Sequence, residues 1–300
     1  MARTATHAIP SARPALPAVV ELLKPITWFP PMWALACGVI STGGAVAPRW
    51  AQVLAGIVLA GPLVCGTSQA VNDWFDRHVD AINEPHRPIP SGRLPGYWGL
   101  YVAIIWTLVS LGVAWLLGPW GFAAAVVGLA LAWAYSAPPF RLKRNGWWGN
   151  SAVAACYEGL PWLTGVIVMT GAAPSPRVLA VAALYSFGAH GIMTLNDFKS
   201  VPGDRRMGIR SLPVQHGEAN AAAIACFMMA IAQAAVIGLL FWWGHGWYAA
   251  VVGVLLLAQL ALMERLLDDP RDLAPWYNAT GIVLYVLGML ATAFALRPGI

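Results

Sequence analysis

Hydrophobic positions along this chain fall into long, mainly apolar runs separated by short polar clusters. A membrane-crossing helix needs about 20 mainly apolar residues. Nine such runs are legible, at 26–46, 50–72, 97–117, 119–136, 150–170, 177–196, 218–242, 247–265 and 277–296. The pattern predicts an all-α integral membrane protein of about nine transmembrane helices. Gly118-Pro119 sets a tight turn between the third and fourth runs. Trp242-Trp243-Gly244-His245-Gly246-Trp247 makes an interfacial aromatic corner between the seventh and eighth.

Composition agrees: 59% of the 300 residues are hydrophobic and 10% charged, against about 25% charged in a soluble domain. Residues 1–25 read as a cytoplasmic arm, since the apolar positions there are broken by proline and no signal-peptide core forms. Residues 26–297 then make a single transmembrane domain. With the N-terminus cytoplasmic, fifteen of the eighteen Lys and Arg residues fall on the cytoplasmic side. Only Arg49, Arg177 and Arg297 fall on the other, a strong positive-inside bias. The basic balance therefore reports topology, and nucleic acid is not an expected partner. Cys37, Cys65, Cys156 and Cys226 all lie in apolar runs without metal-ligand spacing and read as buried packing residues.

Chemistry is concentrated at the ends of two runs. The second closes on Gln69-Ala-Val-Asn72-Asp73-Trp-Phe-Asp76-Arg77-His-Val-Asp80. At about 100° per residue Asp73, Asp76 and Asp80 share one face, which Gln69 and Asn72 extend. Alone, such a face reads equally as a solvated acidic surface or as a cation site. The sixth run closes on Asn196-Asp197-Phe-Lys199, followed by Gly203-Asp204-Arg205-Arg206. Four crossings separate the two Asn-Asp pairs, so they emerge on one membrane face. Spans one to four and five to eight form two parallel four-helix halves, with a ninth helix added. Facing acidic motifs of this kind can hold Mg²⁺ ions about a diphosphate and so activate it as a leaving group. Candidate metal ligands are Asn72, Asp73, Asp76, Asp80, Asn196, Asp197 and Asp204.

Cations stand nearby. Arg141, Lys143 and Arg144 follow the fourth run, and either clamp phosphate oxygens or serve only topology. Arg77, Arg87, Lys143, Arg141, Lys199 and Arg205 are the candidate diphosphate-binding residues, and Asp73, Asp76, Asp197 and Lys143 the candidate catalytic ones. The proline-stiffened loop Arg87–Arg93 suits a rim over the site. Two polar residues lie deeper: Glu158, roughly 13 Å into the fifth span, and His190, seven residues before Asp197. Either is a functional group by position or a satisfied interior residue.

At these residues the chain resembles the UbiA-type intramembrane prenyltransferase superfamily; Asn72-Asp73-x-x-Asp76-x-x-x-Asp80 matches its first aspartate motif. The stretches NDWFDRHVDAINEPHRPIPSGR, YSAPPFRLKRNGWWGN and NDFKSVPGDRRMGIRSLPV are similar to the chlorophyll and bacteriochlorophyll synthase branch, and GAHGIMTLNDFK to its bacteriochlorophyll form. The second motif departs from the superfamily's DxxxD, since Asp197 and Asp204 are seven apart with Lys199 between.

The resemblance implies a nine-helix fold, Mg²⁺ as cofactor, and transfer of a geranylgeranyl or phytyl group from its diphosphate to the propionate carboxylate of bacteriochlorophyllide. His190 and Glu158 are then candidates for tetrapyrrole contact. Membrane lipid and other pigment-biosynthesis or light-harvesting assembly proteins are expected partners, in a bacterial cytoplasmic or intracytoplasmic photosynthetic membrane. Four alternatives stay open: chlorophyllide as acceptor, an aromatic prenyltransferase of the quinone pathways, a secondary transporter and a non-catalytic pigment carrier.

Overall fold

A computed structural model of the chain describes residues 14–299, and among these every regular element is helical. Arg3 and Arg13 of the expected arm lie outside the described residues. In chain order the helices are α1 (Leu16–Leu22), α2 (Phe29–Ser41), α3 (Trp50–Val58), α4 (Gly66–Asn83), α5 (Trp98–Trp115), α6 (Gly118–Ser136) and α7 (Gly146–Ala154). They continue as α8 (Leu160–Thr170), α9 (Pro176–Asp197), α10 (Val201–Met207), α11 (Leu212–His216), α12 (Glu218–Trp242), α13 (Gly246–Asp268) and α14 (Pro270–Ala295).

Eight stretches among the described residues are long and apolar enough to cross a membrane. The expected ninth, at 26–46, is the exception. Its helix, α2, has 13 residues, about 20 Å at 1.5 Å per residue against a hydrocarbon core of about 30 Å. Pro25 restricts the start to one 3₁₀ turn, Pro25–Thr27, and Thr42-Gly43-Gly44 ends the helix with Gly43 at φ +66°. The apolar run is longer than the helix it forms.

Two spans contain a π-helical turn. Leu59–Cys65 joins α3 to α4 and contains Pro62, whose nitrogen cannot donate to the preceding turn. Ala155–Gly159 joins α7 to α8 just before Pro161 and contains Glu158. Helix runs on through the first of these turns over Ala47–Ile82 and, through a 3₁₀ turn at Phe198–Ser200, over Pro176–Met207, past the expected span ends. Both acidic motifs therefore sit on helical backbone.

α2 and α8 cross where neither has a side chain in the way. A Cβ on Gly38 would stand 2.1 Å from the Trp162 carbonyl oxygen, and one on Gly165 2.2 Å from that of Leu35. Small residues permit this closeness in membrane bundles. The larger core lies between α8, α9, α12 and α14. Trp162 and Tyr185 stack at 5.7 Å, and Tyr285 meets Tyr185 edge-on. Tyr285 donates to the Tyr185 carbonyl at 2.7 Å. Gln233 donates to Gln259, which donates to the Gly281 carbonyl at 2.9 Å. These bonds partner interior polar groups where no water would be available.

Candidate active site

The C-terminal half of α4, the segments that follow α4, α6 and α9, and α10 surround a cavity of about 490 Å³, whose lining does not include Asp73 or Asp197. Asn72, Asp76 and Asp80 line one wall, Lys199 and Asp204 another, and Arg87, Arg141, Lys143 and Arg144 the rest. The helical spacing of the first motif and the same-face emergence of the second bring residues 125 or more positions apart in sequence, such as Asp76 and Asp204, to one chamber.

Each carboxylate has its own partners. Asp73, only 2% exposed, accepts from the Lys24 ammonium at 2.6 Å on Oδ1. Its Oδ2 is buried with no hydrogen-bond partner. Arg87 donates to Asp80 at 2.8 Å and stands 3.5 Å from Asp73. Lys143 donates to Asp76 at 2.6 Å and to the Ser136 hydroxyl at 3.2 Å, with Arg141 3.6 Å from the same Asp76. Burial pushes the Lys143 ammonium below the usual lysine range, and the adjacent Asp76 offsets only part of this. Burial acts against charge on Arg87 too, but Asp73 and Asp80 outweigh it and raise its pKa.

In the second motif Asp197 accepts from Asn150 of α7 at 3.0 Å, and Asp204 from Ser211 at 2.6 Å. The backbone fastens the walls together: Gly146 donates to the Arg210 carbonyl at 2.8 Å and Arg210 to that of Arg144 at 2.9 Å. The rim loop is tied by Arg93, whose guanidinium grips both oxygens of Glu21 on α1 at 2.5 and 2.8 Å. This contact holds Glu21 below the usual carboxylate range.

Other candidates lie elsewhere. Asn196 is exposed and accepts from Asn278 of α14 at 2.9 Å. Arg77 lies 4.1 Å over the Trp74 ring and donates to the Trp74 carbonyl. Arg205 is exposed on α10, and it is Arg206 that lines the cavity. Glu158 is buried with Oε2 unpartnered, and His190 is buried beside Trp147.

Sequence reasoning did not single out Lys24, Ser136, Asn150, Arg206 or Ser211. For Lys24 one signal exists: it is the cation immediately before the first apolar run, on the face that carries both acidic motifs.

Among the described residues, no three His, Cys, Asp or Glu side chains converge closely enough to hold a metal ion by themselves. Mg²⁺, however, takes one or two carboxylates and completes its shell with water and substrate phosphates. The carboxylates of Asp76, Asp80 and Asp204, ranged around the chamber, fit that mode; Oδ2 of Asp73 is unpartnered but buried.

A helical membrane bundle with acidic residues of α4 and α10 facing a cation-lined chamber is the architecture of an intramembrane enzyme, and the arrangement suits a phosphorylated substrate. Residues 27–288 match the UbiA prenyltransferase family, and the chain belongs to it. It is a prenyltransferase and a multi-pass membrane protein. It is 59% identical to the bacteriochlorophyll synthase 33 kDa chain of Cereibacter sphaeroides over 96% of this chain and 95% of that one. Against chloroplastic chlorophyll synthase of Oryza sativa the identity is 38%, over 92% of this chain and 76% of that one. A UbiA homolog from Archaeoglobus fulgidus, solved bound to GPP and Mg²⁺, shares the fold with a TM-score of 0.69 at 18% identity, over 91% of this chain and 99% of that one.

Proposed function

We propose that this protein is a bacteriochlorophyll synthase, transferring a geranylgeranyl or phytyl group from its diphosphate to the propionate carboxylate of bacteriochlorophyllide. The observation that carries this reading is the near-full-length identity of 59% to a bacteriochlorophyll synthase, against 38% to a chlorophyll synthase. Mg²⁺, when bound with the donor, neutralises the diphosphate and makes it a better leaving group. Asp73, Asp76 and Asp80 on α4, with Asp197 and Asp204, would hold the metal. Lys143, Arg141, Arg87 and Lys199 would take up the remaining negative charge as the bond between C1 of the prenyl group and its bridging oxygen breaks.

The acceptor carboxylate is ionised at neutral pH. One of its oxygens forms the new bond to C1, diphosphate leaves with the electron pair, and no general base is required. The prenyl tail would run from the chamber past Tyr135 into the apolar crevices between α4, α6 and α7, lined by Val64, Cys65, Gly128 and Cys156. The chamber would face the cytoplasm, with the domain spanning 26–297 in a bacterial photosynthetic membrane.

Membranes carrying the recombinant protein, given geranylgeranyl diphosphate, Mg²⁺ and either bacteriochlorophyllide or chlorophyllide, test this reading. Esterified bacteriochlorophyll in preference to chlorophyll is expected. Preferred esterification of chlorophyllide, or prenylation of an aromatic acid with no esterified pigment, would overturn it.

A further inference from the structure

A second large opening lies away from the diphosphate chamber, on the outer side of α7, α8 and α9, with Met228 of α12 at its edge. It is a groove of about 680 Å³ whose wall includes Trp147, Leu163, Phe187 and His190, within the roughly 300–1,000 Å³ of small-molecule sites. Its surface is almost wholly apolar, and its one imidazole has an unsatisfied nitrogen. His190 is 2% exposed. With the proton on Nε2, the ring donates to the Trp147 carbonyl at 3.3 Å and Nδ1 keeps the lone pair. That Nδ1 has no hydrogen-bond partner outside its own residue. The Trp147 indole lies against the imidazole at 5.4 Å and fixes the plane of the ring.

The groove is also placed to serve the chamber. His190 precedes Asp197 by seven residues on the same helix, about 10 Å by rise. The other wall, α7, carries Ser151 in the groove and Asn150, which is bonded to Asp197. The groove and the second acidic motif thus share α7 and α9, with His190 and Asp197 about 10 Å apart by helix rise.

We propose that this groove is the acceptor site, with a flat magnesium tetrapyrrole lying against its apolar wall and Nδ1 of His190 as axial ligand to the central magnesium. The proposal rests on the bacteriochlorophyll synthase reading above. A neutral imidazole lone pair without a partner is the donor that a magnesium with an open axial position lacks. A buried polar atom left unpartnered is otherwise a standing cost. A lipid chain could fill the volume but would leave Nδ1 unsatisfied. The propionate would project along α9 toward Asp197, where it would meet C1 of the donor.

The test uses purified full-length protein in nanodiscs, titrated separately with bacteriochlorophyllide, its metal-free counterpart bacteriopheophorbide, and geranylgeranyl diphosphate with Mg²⁺. Wild type is expected to bind the magnesium pigment at least tenfold tighter than the metal-free one, with a visible-band shift marking an added axial ligand. His190→Gly should lose that preference and the shift, and added imidazole should restore both. Ala183→Trp narrows the groove from an exposed position on α9. It should weaken both pigments at least tenfold and leave donor binding unchanged. Donor binding also reports whether His190→Gly has folded; if it has not, the wild-type metal preference and Ala183→Trp decide. A retained preference and shift in folded His190→Gly, or unchanged pigment affinity in Ala183→Trp, overturns the groove assignment alone. Wild type that binds donor but neither pigment overturns the synthase reading and the groove together.

Discussion

At the scale of single residues, the first motif is a set of carboxylates already engaged by cations, so donor and metal must compete with Lys24, Arg87 and Lys143 for them. Asp73→Ala removes a carboxylate that Lys24 meets at 2.6 Å and should lower product formation by about 10²-fold or more, the scale of losing one pre-organised electrostatic group. Donor turnover in membranes measures it, and activity within a factor of a few of wild type would remove Asp73 from the machinery. Lys143 gives a pH signature. Burial lowers its pKa, so its ammonium is present below that pKa and lost as pH rises through it. The alkaline limb of kcat/KM for the donor should therefore fall below the ordinary lysine value of about 10.4. In Lys143→Arg, whose guanidinium stays charged, the limb should disappear.

The carboxylates were legible because i, i+3, i+7 spacing is local and periodic. Their partners were not, since Lys24 meets Asp73 across 49 positions and Asn150 meets Asp197 across 47, separations set by packing that no local pattern encodes. Arg206 rather than Arg205 lines the chamber because α10 begins at Val201 and sets the phase of both, a boundary the sequence leaves open.

At the scale of elements, the apolar runs located eight spans well, because a lipid-facing helix must be long and apolar to satisfy its backbone. The first run forms a helix shorter than the run itself. Hydropathy counts Gly43 and Gly44 as neutral, whereas Gly43 at φ +66° turns the chain out of the helix. What α2 lacks in length it offsets in closeness to α8. Gly165→Ala would put a methyl 2.2 Å from the Leu35 carbonyl, forcing the pair apart. The expected loss is about 1–3 kcal/mol, the usual range for overpacking, read as a lower midpoint of thermal inactivation in detergent. A midpoint equal to wild type would mean that α2 and α8 cross less closely. Gly253, with nothing near its added methyl, makes the control: Gly253→Ala should leave the midpoint unchanged or raised.

At the scale of the whole molecule, two demands fall on the same residues. The charge asymmetry that orients a membrane protein is set by Lys and Arg in short loops, and a diphosphate site needs cations at the same depth. Arg87, Arg141, Lys143, Arg144, Lys199 and Arg206 all line the chamber and all belong to the charge-rich side. Chamber and orientation are therefore one feature, and the chamber must face the cytoplasm if the charge rule governs insertion. Impermeant thiol labelling tests this with two introduced cysteines. Ser91→Cys lies on the exposed rim loop beside the chamber, and Ala173→Cys on the exposed turn between α8 and α9 at the opposite face. The native Cys37, Cys65 and Cys226 are buried and give little background. Ser91→Cys should label only in inside-out vesicles and Ala173→Cys only in intact spheroplasts. The reverse pattern would place the chamber outside, separate the charge bias from the topology, and leave those cations with phosphate binding as their only role.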